Sequence, residues 1–254
     1  LIIYPAIDLR RGKCVRLRQG DPGAETVFGH DPAEMARHWA ALGAQWLHVV
    51  NLDGALGDES QTAGVSVNLQ AVQAIREAVD LPIQFGGGIR TLADIEFLLE
   101  IGVRRAVLGT VAVRDPDLLE RAVTQFGASH IAVGLDTRAG KVAIHGWQEQ
   151  SRLTALEVGR RMRDRGAELA VHTDIGQDAM LTGVSWEESA ELARQTELQV
   201  IASGGVSGIA DIERLLTYRG QGLVGVITGQ ALYTGALDLQ AALALVARAT
   251  ATAE

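Results

Sequence analysis

Two aspartates that close apolar runs, and two glycine clusters set before helical segments, are the residues of this chain best suited to chemistry. Asp8 lies in Ile7-Asp8-Leu9-Arg10-Arg11-Gly12-Lys13, and the pattern returns 128 positions on (8 to 136) as Leu135-Asp136-Thr137-Arg138-Ala139-Gly140-Lys141. Two carboxylates in matching surroundings can divide general acid from general base when their environments push their pKa values apart. Either Asp alone could instead cap its loop or pair with Arg10 or Arg138; the matched pair favours catalysis. The glycine clusters repeat too. Gly86-Gly87-Gly88 with Arg90 reappears 117 positions on (87 to 204) as Ser203-Gly204-Gly205 with Ser207, followed by Ala93-Asp94-Ile95-Glu96 and Ala210-Asp211-Ile212-Glu213 respectively. Glycine there lets backbone N–H groups approach an anion, and the following helix adds a favourable dipole. Gly109-Thr110 and Gly229-Gln230 extend each cluster into a pair of turns. The alternative is that these glycines only make tight turns. Two acid–base carboxylates between two anion sites fit a small molecule with a phosphate at each end.

Other polar residues fall near the same places. Thr173, Asp174 and Asp178 follow one apolar run, His48 and Asp53 another, and the two regions align at an offset of 123 (Asn51 to Asp174). Thr173 and Asp174 would orient a catalytic carboxylate or touch substrate; ordinary loop capping is the other reading of Thr173, His48 and Asp53. Trp147, after Gly146, could close over a flat ring or pack on the surface, while Trp39 and Trp46 suit the core or an interface. No two His have ligand spacing and Cys14 is the only cysteine, so no metal site is expected. Cys14 reads as a small core hydrophobe, and its solitude excludes an intrachain disulfide.

These residues need a frame. Strand-length apolar runs recur at 2–7, 46–51, 82–85, 106–108, 131–135, 169–173, 199–202 and 224–228, with helical spacing between them at 32–42, 69–79, 92–101, 116–126, 153–165, 186–195, 209–216 and 237–247. Alternating strands and helices imply parallel strands joined by right-handed crossovers. Eight such units in 254 residues suit a (β/α)8 TIM barrel, an α/β fold. An open doubly wound sheet would carry a glycine fingerprint after its first strand, and none is present. We expect one domain made of two duplicated half-barrels, about 1–127 and 128–254. Residues 57–67 read as a polar loop, and Gly12-Lys13 and Gly140-Lys141 as hairpin excursions, on the face where barrel active sites are built.

The net charge is −8 and the basic residues are scattered, which argues against nucleic acid as a partner. An anionic ligand must then be held by local donors. No stretch approaches the roughly 18 consecutive apolar residues of a membrane span, and a signal-type start is missing. A cytoplasmic monomer without membrane partners is the expectation.

The motifs together resemble the ProFAR isomerase family of histidine biosynthesis, whose substrate is N′-phosphoribosylformimino-aminoimidazole carboxamide ribonucleotide. The likeness rests on Pro5-Ala6-Ile7-Asp8-Leu9, Val15-Arg16-Leu17 with Gln19-Gly20-Asp21, Leu47-His48-Val49-Val50 with Leu52-Asp53-Gly54-Ala55, residues 86–90, Gly146-Trp147, Thr173-Asp174-Ile175, residues 202–206 and Ala231-Leu232-Tyr233. Few are specific singly; their order from residue 3 to about 245 is. The resemblance implies an Amadori rearrangement of an aminoaldose to an aminoketose, with no cofactor. It implies Asp8 as base and Asp136 as acid, with Asp178 a rival donor. Arg16, His48, Thr173, Asp174, Asp178 and Trp147 would touch substrate. Gly87, Gly88, Arg90, Gly109 and Thr110 would hold one phosphate, and Gly204, Gly205, Gly229 and Gln230 the other.

The chain departs from the family pattern after Thr173. His172 stands where Tyr is usual, Gln177 where a basic residue is, Ala179 where Gly is, and Asn51 where Asp is. A positive φ at Ala179 would be strained. Other readings are the sister barrel that forms imidazole-glycerol phosphate, an isomerase that also takes phosphoribosylanthranilate, and a barrel that binds phosphometabolites without turnover.

Overall fold

A strand covered by helices on one side and by core on the other has no polar face, which is why the eight runs are almost wholly aliphatic. The computed structural model describes residues 1–58 and 65–251. In it the runs become β1 (Ile2–Arg10), β2 (Leu47–Asn51), β3 (Ile83–Gly86), β4 (Arg105–Leu108), β5 (Ile131–Arg138), β6 (Leu169–Asp174), β7 (Gln199–Ser203) and β8 (Leu223–Thr228). Each pairs in parallel with the next, and β8 returns to β1 through Ile2 opposite Gly225, so the sheet closes on itself. Around it lie α1 (Pro32–Ala41), α2 (Val67–Ala78), α3 (Leu92–Glu100), α4 (Pro116–Phe126), α5 (Ala155–Asp164), α6 (Trp186–Thr196), α7 (Ile209–Thr217) and α8 (Leu239–Ala251). The architecture is the (β/α)8 TIM barrel. The polar loop expected at 57–67 falls in part outside the described residues. Among the described residues, no helix is long and apolar enough to cross a membrane.

Helix starts are written locally. Asp31 accepts from the N–H groups of Ala33 and Glu34 ahead of Pro32, and Thr91 with Asp94 and Thr154 with Glu157 form reciprocal boxes. The expected helix at 153–165 begins later, because Leu153 and Thr154 belong to a hairpin strand, Glu149–Thr154. Three short helices, Leu52–Leu56, Thr110–Arg114 and Gln230–Tyr233, were too brief for periodicity to reveal.

Side chains alternate across each strand. Tyr4, Ala6, Val107, Ala132, Leu169, Val171, Ile201 and Ile227 form a cluster inside the barrel. Ile3, Ile7, Leu9, Val133, Leu135, Ala170 and Val226 join the larger layer beneath the helices. Continuing the inward columns upward gives Asp8 above Ala6, Asp136 above Ala132 and Gly134, and Thr173 above Val171. Cys14 is fully buried in the outer layer, and burial pushes its thiol up to about 12. Trp39 packs edge-on against Tyr233 in that layer, whereas Trp46 lies against Tyr4 and under the Arg105 guanidinium.

Neither catalytic candidate ends its strand, contrary to the sequence reading. β1 runs on to Arg10 and β5 to Arg138, because each continues into an antiparallel partner, Lys13–Arg18 and Lys141–Ile144. The two turns are alike: Arg11 and Gly12 have φ of 51° and 76°, Ala139 and Gly140 51° and 75°. Two consecutive positive φ values match the right-handed strand twist. Gly87 and Gly88 (98° and 82°) and Gly204 and Gly205 (90° and 87°) are likewise left-handed. A Cβ at Gly87 would strike the carbonyl oxygen of Asn51, and one at Gly204 would lie 2.7 Å from that of Asp174.

Positive φ with and without a backbone obstacle should differ in cost. Gly204→Ala should lose about 3 kcal/mol, strain plus collision with a carbonyl that cannot move, and Gly140→Ala, with open space around it, about 1 kcal/mol. Urea unfolding of the two variants beside wild type checks the ranking.

Candidate active site

The C-terminal ends of the strands and the loops after them enclose a cleft of about 430 Å³. Asp8, Arg16, His48, Asp136, Trp147, Thr173 and Asp178 all line it, as do Gly87, Gly88, Arg90, Gly109, Thr110, Gly204, Gly205, Gly229 and Gln230. Asp174 does not. The alternation that turns Thr173 inward turns Asp174 outward, where its carboxylate accepts from Ser185 Oγ at 2.6 Å and Gly176 N–H at 2.9 Å.

Asp8 and Arg16 meet because the first hairpin folds back: Asp8 lies opposite Val15 in that ladder, and Arg16 Nη1 donates to the carboxylate at 2.6 Å. The guanidinium also donates to the Ala6 carbonyl at 3.3 Å, faces the Tyr233 ring and occupies the space a side chain at Gly229 would need. Burial raises the Asp8 carboxyl above its ordinary range, and Arg16 opposes this. Asp136 accepts from Trp147 Nε1–H at 2.9 Å. Its carboxyl is raised by burial and pulled back by the Trp147 and Thr173 donors, which favour the ionised form. Asp178 is pushed up to about 7, first by desolvation, with Arg16 opposing and Asp8 and Asp136 adding like charge.

His48 is held neutral. Arg105 donates to Gln84 Oε1 at 3.2 Å, which turns the Gln84 amide N–H toward His48 Nδ1 at 2.9 Å and leaves Nε2 to carry the ring proton. Burial, then the Arg16 charge, lowers its pKa to about 3.

The loops lock over the cleft. His145 N–H donates to Thr110 Oγ1 at 2.8 Å, and Gln19 Nε2 donates to the Gly176 carbonyl at 3.0 Å. Trp147 packs its ring on Gly20 and, half-buried, also lines the cleft. His145 and Trp147 have φ of 56° and 70°, strain concentrated where two loops meet. Ala179 does adopt a positive φ of 57°, keeping the glycine-type turn at a cost. Gln177, in place of a basic residue, accepts from the Thr182 hydroxyl, and Gly183 N–H donates to the Gly205 carbonyl at 2.9 Å, tying this loop to the glycine turn after β7. Among the described residues no three His, Cys, Asp or Glu side chains are grouped to hold a metal ion.

The profile of a family described as histidine biosynthesis protein matches residues 2–238. This chain belongs to that family. Within it, a Rhodopseudomonas palustris strain BisB5 protein is 49% identical over 251 residues, covering 99% of this chain and 100% of its own. A Rhizobium johnstonii protein is 48% identical over 255 residues, 100% of both chains, and a Bradyrhizobium diazoefficiens protein 47% over 251, covering 99% and 98%. All three are named 1-(5-phosphoribosyl)-5-((5-phosphoribosylamino)methylideneamino) imidazole-4-carboxamide isomerase.

Two cleft residues of this family member escaped sequence reading. Arg114, on the short helix after β4, and His145 both line the cleft, and each stands near Glu149, at 3.5 Å and 3.0 Å. Thr234 occupies the place matching Arg114 in the repeat (Gly109 to Arg114, Gly229 to Thr234), so repetition gave no signal.

Two measurements follow from these strains and charges. With its folded pKa raised from 3.8 to about 7, Asp178 binds a proton in the folded state that the unfolded state has released, so stability falls as pH rises through that window. The urea midpoint of wild type should drop across it and that of Asp178→Asn should drop less; equal slopes would place the extra proton elsewhere. Ala179→Gly should relieve the left-handed strain and gain up to about 1 kcal/mol by the same assay.

Proposed function

We propose that this chain is an aldose–ketose isomerase that converts ProFAR to its aminoketose by an Amadori rearrangement in histidine biosynthesis, without a cofactor. The observation that carries the reading is one cleft in which carboxylates from β1 and β5, across the barrel from each other, stand between two pairs of glycine turns. Full-length likeness to relatives named for this isomerisation supports it.

One carboxylic acid gives its proton to the furanose ring oxygen, the C1′–O bond breaks, and a Schiff base forms at the former anomeric carbon. A carboxylate then removes the C2′ proton, the electron pair moves to the nitrogen, and the resulting enolaminol tautomerises to the ketose. Asp8 is the base: Arg16 at 2.6 Å favours its ionised form. Asp136 is the acid, kept from ionising too readily by burial and oriented by Trp147 and Thr173. Asp178 is a second donor reading on one observation, a carboxyl pushed up to about 7 and so half-protonated near neutrality.

The ends of the substrate are bisphosphate. Gly87, Gly88, Arg90, Gly109 and Thr110 hold one phosphate, and Gly204, Gly205, Gly229 and Gln230 the other, through backbone N–H groups at helix starts. Arg16 and the neutral His48 are donors to the sugar side. Fixing both ends lets remote binding energy orient the reacting carbons, worth roughly 7–11 kcal/mol in well-aligned systems. The working unit is a monomeric, single-domain barrel of two duplicated halves in the cytoplasm.

Steady-state conversion of ProFAR by the purified protein tests this, with phosphoribosylanthranilate run beside it. ProFAR turnover should occur and Asp8→Asn should lower kcat on the order of 10²- to 10⁴-fold. Of Asp136→Asn and Asp178→Asn, the variant that erases the alkaline limb of the pH profile names the acid. Turnover of both substrates would widen the reading to two pathways; turnover of neither would end it.

A further inference from the structure

On the helix-facing side of the barrel, behind Asp136 and Thr173, a buried polar chain joins α6 to the paired strands β5 and β6. His172 points outward from β6 and is 2% exposed. Its Nδ1 lies 2.8 Å from Ser189 Oγ on α6 and its Nε2 3.3 Å from Thr137 Oγ1 on β5. That hydroxyl lies 3.4 Å from the carbonyl oxygen of Thr173. Burial lowers the imidazole to about 4, so near neutrality it carries one ring proton. A single arrangement lets every contact use a donor once: Ser189 Oγ–H to Nδ1, Nε2–H to Thr137 Oγ1, and Thr137 Oγ1–H to the Thr173 carbonyl.

The chain ends where the chemistry is aimed. Thr173 is the register partner of Asp136, and its hydroxyl favours that carboxylate's ionised form. The carbonyl of Thr137 accepts from Ile175 N–H at 2.9 Å, at the root of the loop that carries Asp178. The matching place in the first half (49 to 172) is Val49, fully buried and apolar. A buried imidazole costs free energy unless both nitrogens are paired, whereas valine would pack there without that demand. The first half ties its strand ends by a different group: Asn68 on α2 donates to the Leu9 carbonyl of β1 at 3.1 Å and to Asn51 Oδ1 of β2 at 2.7 Å, so the imidazole link belongs to β6 and not to β2.

We propose that His172 is a positioning residue, which through Thr137 fixes the ends of β5 and β6 and so sets Asp136, Thr173 and the Asp178 loop relative to one another. Its effect on turnover rests on the isomerase reading; its effect on Asp136 does not.

The test is a 13C carboxylate titration of the unliganded protein. His172→Phe keeps a ring but loses both nitrogens, which loosens Thr173 from Asp136 and should raise the Asp136 midpoint by about half a unit or more. Trp147 and Asp178, which also act on Asp136, and Asp8 and Arg16 beside Asp178, are the same in both proteins and supply a common background. His172→Gln, which retains an N–H able to reach Thr137, should return most of the shift. In turnover, His172→Phe should lower kcat about tenfold with KM changed less than about twofold. Should that variant fail to fold, Ser189→Ala cuts the chain at its far end and should move the midpoint the same way by less. An unmoved midpoint in the folded variant overturns the proposal. Wild-type protein that does not turn over ProFAR would count against the isomerase reading alone, since the titration needs no substrate.

Discussion

A strand shows its side chains alternately to its two faces, and closing eight parallel strands leaves one residue in two for the interior. In this barrel those inward columns are largely apolar in their lower part, apart from the Arg105–Gln84–His48 chain, and turn polar near the top, at Asp8, Asp136 and Thr173. The outward columns must satisfy the helices instead, which is why Asp174 serves a loop and His172 a helix although both neighbour Thr173. Which residue reaches the cleft is thus decided by parity along the strand before any local preference acts. The helices hold the strands, the strands hold the parity, and the loops add what parity cannot supply.

Electrostatics at the strand tops is a contest between desolvation and a few donors. Three carboxylates share a cleft with one deeply placed guanidinium, and burial raises all three. Arg16 meets Asp8 directly, Trp147 and Thr173 attend Asp136, and Asp178 has a backbone N–H from Ala179 but, among the described residues, no side-chain donor so close. All three carboxyls are thereby shifted toward the protonated form, each against a different set of opposing donors. The cost is carried by the surrounding barrel, whose outer apolar layer is far larger than the site.

Much of this was legible in the sequence for a specific reason. Eight aliphatic runs mark eight strands because both their faces are covered, and the repeated Asp and glycine segments mark equivalent places in two halves of the chain. Strand ends were not legible: β1 and β5 outrun their apolar stretches because hairpin partners extend the ladder, a tertiary effect that composition does not carry. Nor was the seat of Arg16 on Gly229, which joins residues from opposite ends of the chain. Arg114 has Thr234 at its matching place and His145 has no repeated counterpart in kind, so the signal that exposed the other cleft residues was silent for them. His172 was visible as a departure from the family pattern, but its partners, Thr137 and Ser189, come from other elements.

The seat of Trp147 has a further consequence. Its indole N–H is spent on Asp136 and its ring packs on Gly20, with His145, Gly146 and Trp147 itself in left-handed conformations. A ligand that bonds to Oδ2 of Asp136 has to displace the indole, whereas one that meets the other carboxylate oxygen leaves it in place. The observed dissociation constant of a ligand that displaces it is then its intrinsic value divided by the fraction of molecules whose indole is already out of the way. The cleft carries its own competitor.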